Sequence, residues 1–235
     1  MYGAGRDWTQ PHRADPVGNG DNAGLVTQPV DNMQGIQRWE GALGIAAAVL
    51  FVGAVLGFGA ALPLFDPIGH PVALLGAMGV PHALAFNIVG FALPGLLASI
   101  VALRLLLRVP RTAPWSMRVG AQLLMLAGVG FTAMGVLPLD TSDLDNPASQ
   151  YHASAWMVWV LAFVPGAVMS GIGALRLPAW RAVGRLHLAC GLGVLLAAFA
   201  LQALLPAPLA QRVAFGVWLL WLATVLPLAP SARRG

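Results

Sequence analysis

Gly41 to Leu64 reads GALGIAAAVLFVGAVLGFGAALPL, a run without a single charged side chain. A bilayer core about 30 Å thick is crossed by roughly 20 apolar residues at 1.5 Å rise, so this stretch is long enough to span as a helix. Five more stretches meet the same requirement: Ala83–Leu107, Met117–Leu137, Ala153–Leu175, Val183–Leu205 and Leu209–Leu228. The fold class that follows is all-α, a polytopic membrane protein of six transmembrane helices. Whole-chain composition agrees. Of 235 residues, 58% are hydrophobic and 9% charged, against about 25% charged in soluble domains, which excludes a water-soluble monomer.

The flanks differ from this block. Met1 to Arg38 is dominated by Gly, Pro, Asp, Asn and Gln without an apolar period, and is expected to be a disordered tail. It has no short apolar core followed by a small-residue cleavage site, so the first span is expected to be retained. Residues 39–229 form the transmembrane domain and 230–235 a short second tail.

Arginine sets the orientation, because short loops rich in positive charge stay cytoplasmic. Arg38 precedes span one. Arg104, Arg108, Arg111 and Arg118 surround the second connection, Arg176, Arg181 and Arg185 the fourth, and Arg233 and Arg234 follow the last span. The first and third connections carry Asp66, Asp140, Asp143 and Asp145 instead, leaving Arg212 as the basic residue of the other side. Both termini are therefore expected in the cytoplasm, in a multi-pass protein of the cell inner membrane. Trp39, Trp115 and Trp180 fall at cytoplasmic helix ends, where an indole favours the headgroup level.

The net charge of +4 does not describe a nucleic-acid binder, since the Arg residues are scattered among apolar blocks and form no basic face. Cys190 is the lone cysteine, which excludes an intrachain disulfide and a Cys-based metal site. No ionisable residue falls in the middle third of any span, where ion-coupled transporters and pumps keep one. Arg104 and Arg118 are expected to snorkel to the cytoplasmic surface, and His187 to be a hydrogen-bonded packing residue.

Polar groups gather on the outer side. Asp66 and His70 follow span one; His82 opens span two with Asn87 about a turn deeper; Asp140 follows span three, and Tyr151 and His152 open span four. A weak repeat relates them: Leu62-Pro63-Leu64-Phe65-Asp66 and Leu137-Pro138-Leu139-Asp140 each end a span and lead to a His that starts the next. On this pattern His82 and His152 face one cavity beside Asp66 and Asp140, and a like-sided pair of carboxylates raises one Asp pKa. Three chemistries fit. His70, His82 and His152 are a candidate zinc set, with a carboxylate to orient them. His82 and His152 are a candidate haem pair, although no attachment motif accompanies them. The third is structural, with Asp caps and His contacts closing the loops. Between Pro71 and Pro81 the chain is too short to span and too apolar for water, so an interfacial or re-entrant lid is expected, with Leu75 and Met78 buried.

The stretch Phe65-Asp66-Pro67-Ile68-Gly69-His70-Pro71, then Leu75-Gly76, Ala85-Phe86-Asn87, Gly90, Pro94-Gly95 and Gly135-Val136-Leu137-Pro138-Leu139-Asp140 with His152, resembles a family of six-helix bacterial membrane proteins known as domain of unknown function 998. The resemblance covers about Gly41 to Leu228. That family usually shows a Ser-Asp-Leu-Gly type segment where this chain has Ala73-Leu74-Leu75-Gly76. The resemblance implies a six-helix bundle with cytoplasmic termini and no particular reaction, and directs attention to Asp66, His70, His82, Asn87, Asp140 and His152 as ligand-binding residues. Three functional classes follow. The first is binding of a membrane lipid headgroup or a protein partner. The second is a metal-assisted hydrolase or lipid-modifying enzyme using His70, His82 and His152, and the third a passive transporter.

Overall fold

A computed structural model describes residues 28–230, with side chains from Trp39 onward. The chain divides by its contacts between Gly35 and Ile36, and the packing that follows concerns the described residues from Ile36 on. Among the described residues the structure is helical without strands. Six helices are long and apolar enough to cross a membrane: α1 (Gln28–Ala61, with its apolar span at Trp39–Ala61), α2 (Ala83–Arg108), α3 (Trp115–Val136), α4 (Pro147–Leu175), α5 (Pro178–Ala203) and α6 (Ala207–Leu228). The expected tail at Met1–Arg38 lies outside the described residues up to 27, and from Gln28 the chain is helical.

One departure from the expected spans bears on the site: α4 starts at Pro147 rather than Ala153. Asn146 is its N-cap, the side-chain Oδ1 accepting the Ser149 N–H at 2.9 Å, and Pro147 has the φ that the first helical position requires. Polar Ser149 and Gln150 thus belong to a helix whose start hydropathy alone does not reveal.

Neighbouring helices approach through glycine. A Cβ on Gly44 of α1 would lie 1.9 Å from the Leu222 carbonyl oxygen of α6, and one on Gly120 of α3 would lie 2.3 Å from Ser170 Oγ of α4. Such closeness lets backbones attract by dispersion where lipid leaves no hydrophobic drive between helices. The first of these contacts joins the first helix to the last.

The centre is aromatic. Phe51 of α1 packs edge-on to Phe215 of α6 with centroids 5.2 Å apart; Phe131 of α3 stacks on Trp218 at 4.2 Å; Trp159 of α4 meets Phe215 at 5.1 Å. Phe91 of α2 reaches Phe131 at 5.5 Å. Each such pair contributes about 0.5–1.5 kcal/mol beyond the area it covers, so the cluster ties five helices and fills the middle of the bundle.

At the arginine-rich end, Arg108 joins three helices. Its guanidinium pairs with Glu40 of α1 and donates to the carbonyls of Leu226 at 2.7 Å and Ala229 at 3.1 Å, at the C-terminus of α6. The two side chains are 7% and 13% exposed. Orphan carbonyls and a negative helix end make this a natural cation site. Arg104, half exposed, stands 3.7 Å from the same carboxylate. Trp39 and Trp115 are exposed as a headgroup anchor should be, whereas Trp180 is 3% exposed and packs in the core, contrary to its expected interfacial place. His187 accepts the Trp221 indole N–H at 3.0 Å, a satisfied packing contact.

Candidate functional site

The connection between α1 and α2 folds inward. Val72–Gly76 forms a 3-10 turn in which Val72, Leu75 and Gly76 are buried, and Ala77 follows at 0% exposure. Two bonds hold it. Asn87 donates its Nδ2–H to the Gly76 carbonyl at 2.8 Å, and the Met78 N–H donates to the Leu139 carbonyl of the next outer connection at 2.8 Å. Asn87 begins a π-helical stretch, Asn87–Ala92, inside α2. A wide turn of this kind displaces side chains from the regular helical register and is often found at functional positions. The segment expected as a lid is folded against the bundle, with Leu75 buried as expected, whereas Met78, expected to be buried as well, is 46% exposed.

The Asp repeat survives as turn chemistry. Asp66 Oδ1 accepts the Ile68 N–H and Asp140 Oδ1 accepts the Ser142 N–H, both at 2.9 Å, so each carboxylate caps the backbone two residues on. Asp140 also receives the Ser142 hydroxyl at 2.6 Å and the Asn146 amide at 2.6 Å. Led by the Ser142 hydroxyl, these bonds hold its carboxyl below the usual 3.8. The shift is downward, opposite to that expected of paired carboxylates.

The His residues go separate ways. His70 Nδ1 accepts the Asp66 N–H at 3.0 Å, closing its own turn. His82 stands exposed at the N-cap of α2 in the left-handed region, φ 61°, with no capping bond from its side chain. His152 is 7% exposed, with Nδ1 2.8 Å from the Leu137 carbonyl and its ring edge-on to Phe91. The early start of α4 puts His152 in the second helical turn, on the buried face, so the expected likeness to His82 fails. Among the described residues no three His, Cys, Asp or Glu side chains come together as metal ligands. The zinc set His70, His82 and His152 thus lacks a shared geometry, and the two members of the haem pair differ in setting, His82 exposed at a helix start and His152 buried.

Two grooves open beside the C-terminal end of α3. One, of about 260 Å³, lies between α3 and α4 and is lined by Val129, Gly130, Ala133, Leu137, Tyr151, Ser154, Ala155 and Val158. The other, of about 230 Å³, lies under the lid and includes Gly76, Met78, Asn87 and Val136. Of the six candidates from sequence, Asn87 alone lines either of these two grooves. The α3–α4 groove was missed because its walls are Gly, Ala and Val, which read as packing in any span. Tyr151, 59% exposed, was the available signal.

The floor of the α3–α4 groove exists because Gly130 lies against α4, where a Cβ would stand 2.8 Å from the Trp159 backbone nitrogen. From Val129 to Leu137 the wall rises about 12 Å at 1.5 Å per residue, most of the roughly 15 Å depth of one leaflet. Its volume falls below the about 300–1,000 Å³ of enclosed small-molecule sites, and suits part of a chain lying along the helices. Tyr151 and Ser154 line it without turning a polar surface into it, and the Ser154 hydroxyl is bonded back to the Gln150 carbonyl at 2.8 Å.

No protein-family model, curated protein or solved structure matches this chain.

Proposed function

We propose that the protein is a multi-pass component of the cell inner membrane, both termini cytoplasmic, that binds a membrane lipid in the groove between α3 and α4 at the outer leaflet. The arginine asymmetry supports the orientation, and the six long apolar helices support the architecture. The observation that carries the binding reading is the groove itself: apolar throughout and open on the flank of the bundle, with no polar surface turned into it even from Tyr151 and Ser154. Hydrocarbon is the medium it meets there, and an acyl chain is the complement of such a wall. Of the polar residues first suspected of chemistry, all but His82 are engaged in hydrogen bonds to the backbone of turns, helix ends and the lid, which favours binding over catalysis.

Ala133→Leu tests the reading by placing an isobutyl group in the groove. Native mass spectrometry of wild-type protein extracted in mild detergent should show one retained lipid, absent from the variant, with both unfolding at similar detergent strength. Equal retention by a folded variant would refute it.

A further inference from the structure

Eight arginines have described side chains, and four of them are engaged within the protein. Arg108 and Arg104 meet Glu40, Arg118 donates to the Pro110 carbonyl and Arg212 to the Pro208 carbonyl. The other four, Arg111, Arg176, Arg181 and Arg185, are exposed, and their guanidiniums take no partner among the described residues. Three of these four belong to the connection between α4 and α5. No Asp or Glu follows Asp145 in the sequence, so that connection has no carboxylate of its own.

Packing gathers the three. A Cβ on Gly184 would stand 3.0 Å from the Leu175 backbone nitrogen, so the chain at Arg185 runs directly beside the chain at Arg176, the C-cap of α4. Arg181 opens the regular part of α5 and Arg185 follows one turn on, on the same face. That face is the exposed one. Ala189, Leu192 and Leu196 continue it, whereas Val183, His187, Cys190 and Val194 fill the opposite, buried face. From Arg185 to Leu196 the stripe runs about 16 Å at 1.5 Å per residue, the roughly 15 Å depth of one leaflet.

Arg185 is anomalous for a separate reason. It lies inside the apolar span Pro178–Ala203 and on its exposed side. Charges within a span ordinarily face the bundle interior and pair there, as Arg108 does with Glu40. The preference for cytoplasmic positive charge asks for arginine in the loop and does not place one on the lipid-facing side of a span. The start of α5 gives no relief: neither the turn Pro178–Trp180 nor the helix from Arg181 has a side-chain cap or an acidic residue in its first turn, and the positive end of a helix opposes added cations. The partner these guanidiniums lack is an anion at headgroup level.

We propose that Arg176, Arg181 and Arg185 hold the headgroup phosphate of an anionic phospholipid whose acyl chain lies along Ala189, Leu192 and Leu196 of α5. The planar fork of a guanidinium matches phosphate oxygens, and the exposed apolar stripe below the arginines selects a lipid over a soluble phosphate. The site lies at the other end of α4 from the α3–α4 groove and does not rest on it.

An exposed stripe exchanges its lipid with detergent, so binding is read by titration rather than by retention. Full-length protein in detergent is titrated with phosphatidylglycerol or phosphatidylcholine of identical chains, and bound lipid is counted by native mass spectrometry. Wild type should bind phosphatidylglycerol about tenfold more tightly, the scale of one to two basic residues at an anionic headgroup. Arg181→Gln with Arg185→Gln should bring the two lipids level. Arg104→Gln with Arg111→Gln, which removes equal charge from the other connection at this end, should leave the preference intact. If the first pair fails to assemble, wild type still decides: phosphatidylglycerol with a photoreactive headgroup should cross-link to residues 176–185, and adducts centred on residues 104–118 overturn the assignment. About a hundredfold excess of glycerol phosphate should not displace the lipid; displacement assigns the site to a soluble anion and overturns the lipid. Equal binding of the two lipids by wild type, or a preference lost equally in both double variants, also overturns the proposal. Ala133→Leu should leave the preference unchanged, so that this site and the groove fail separately; a preference that Ala133→Leu removes overturns a separate site.

Discussion

The bond from Asn87 to Gly76 can be broken from either side, and the two ways of breaking it should not add. Asn87 is 5% exposed, and its amide holds the Gly76 carbonyl at 2.8 Å. Asn87→Ala removes the donor and leaves that carbonyl orphaned at a buried turn. A buried unsatisfied group costs about 1–3 kcal/mol, and interhelical hydrogen bonds measured in a membrane protein average about 0.6 with a maximum near 1.7, so about 1–2 kcal/mol is expected. Gly76→Ala would place a Cβ 1.9 Å from Asn87 Oδ1, a separation no real atom pair tolerates, so the amide must leave. Its loss should equal that of Asn87→Ala plus overpacking of about 1–3 kcal/mol. With Ala at position 87 the added methyl has room, and the double variant should cost less than the sum by about 1 kcal/mol or more. The cycle is measured by reversible unfolding in mixed micelles. A parallel readout uses Ala73→Cys in a Cys190→Ala background, since Ala73 is 7% exposed within the lid. If the loss falls on lid opening, thiol labelling rises about 5- to 30-fold in Asn87→Ala. Strict additivity, or labelling that Asn87→Ala leaves unchanged, would refute the clamp.

Three further outcomes follow. Glu40→Gln should destabilise the bundle by about 3 kcal/mol, the lower end for breaking a buried pair, because Arg108 keeps its two carbonyl partners; Arg104→Ala, at a half-exposed position, should cost under about 1 kcal/mol in the same unfolding assay. Asp140 is held below 3.8 by Ser142 and Asn146, so its contribution to the loop is complete above about that pH and is lost as pH falls through the lower folded value. A spin label at Thr141 should keep one mobility from about pH 7 to about pH 5 and loosen only below about pH 4, and Asp140→Ala should loosen it throughout. For topology, a reporter fused after Asp143 should behave as exported and one after Arg111 as cytoplasmic; the reverse pattern would invert the orientation.

The spans were legible because each is an apolar run of bilayer length, a property the chain carries locally. Asp66 and Asp140 were legible as caps for the same reason, since an Asp side chain reaches the backbone two residues on wherever it sits. What failed was inference across distance. The His82–His152 likeness depended on where α4 begins, and Asn146-Pro147 moved that start while apolarity pointed later. Arg108 read as one of the charges beside the second connection; only the helix arrangement, which brings Glu40 of α1 and the end of α6 to it, makes it half of a buried pair. Asn87 stood out as a polar residue in a span, yet its partner is a backbone carbonyl, invisible to residue patterns. A groove is harder still, because Gly130 and Ala133 look alike whether a helix or empty space lies opposite.

The most direct measurement places a diacyl lipid with a mid-chain diazirine in proteoliposomes and maps the cross-links by peptide sequencing. Adducts should concentrate on Val129, Ala133, Ala155 and Val158, far beyond their share of exposed surface. Adducts spread evenly over lipid-facing residues such as Val49, Leu56 and Leu220, in proportion to exposure, would contradict a lipid site between α3 and α4.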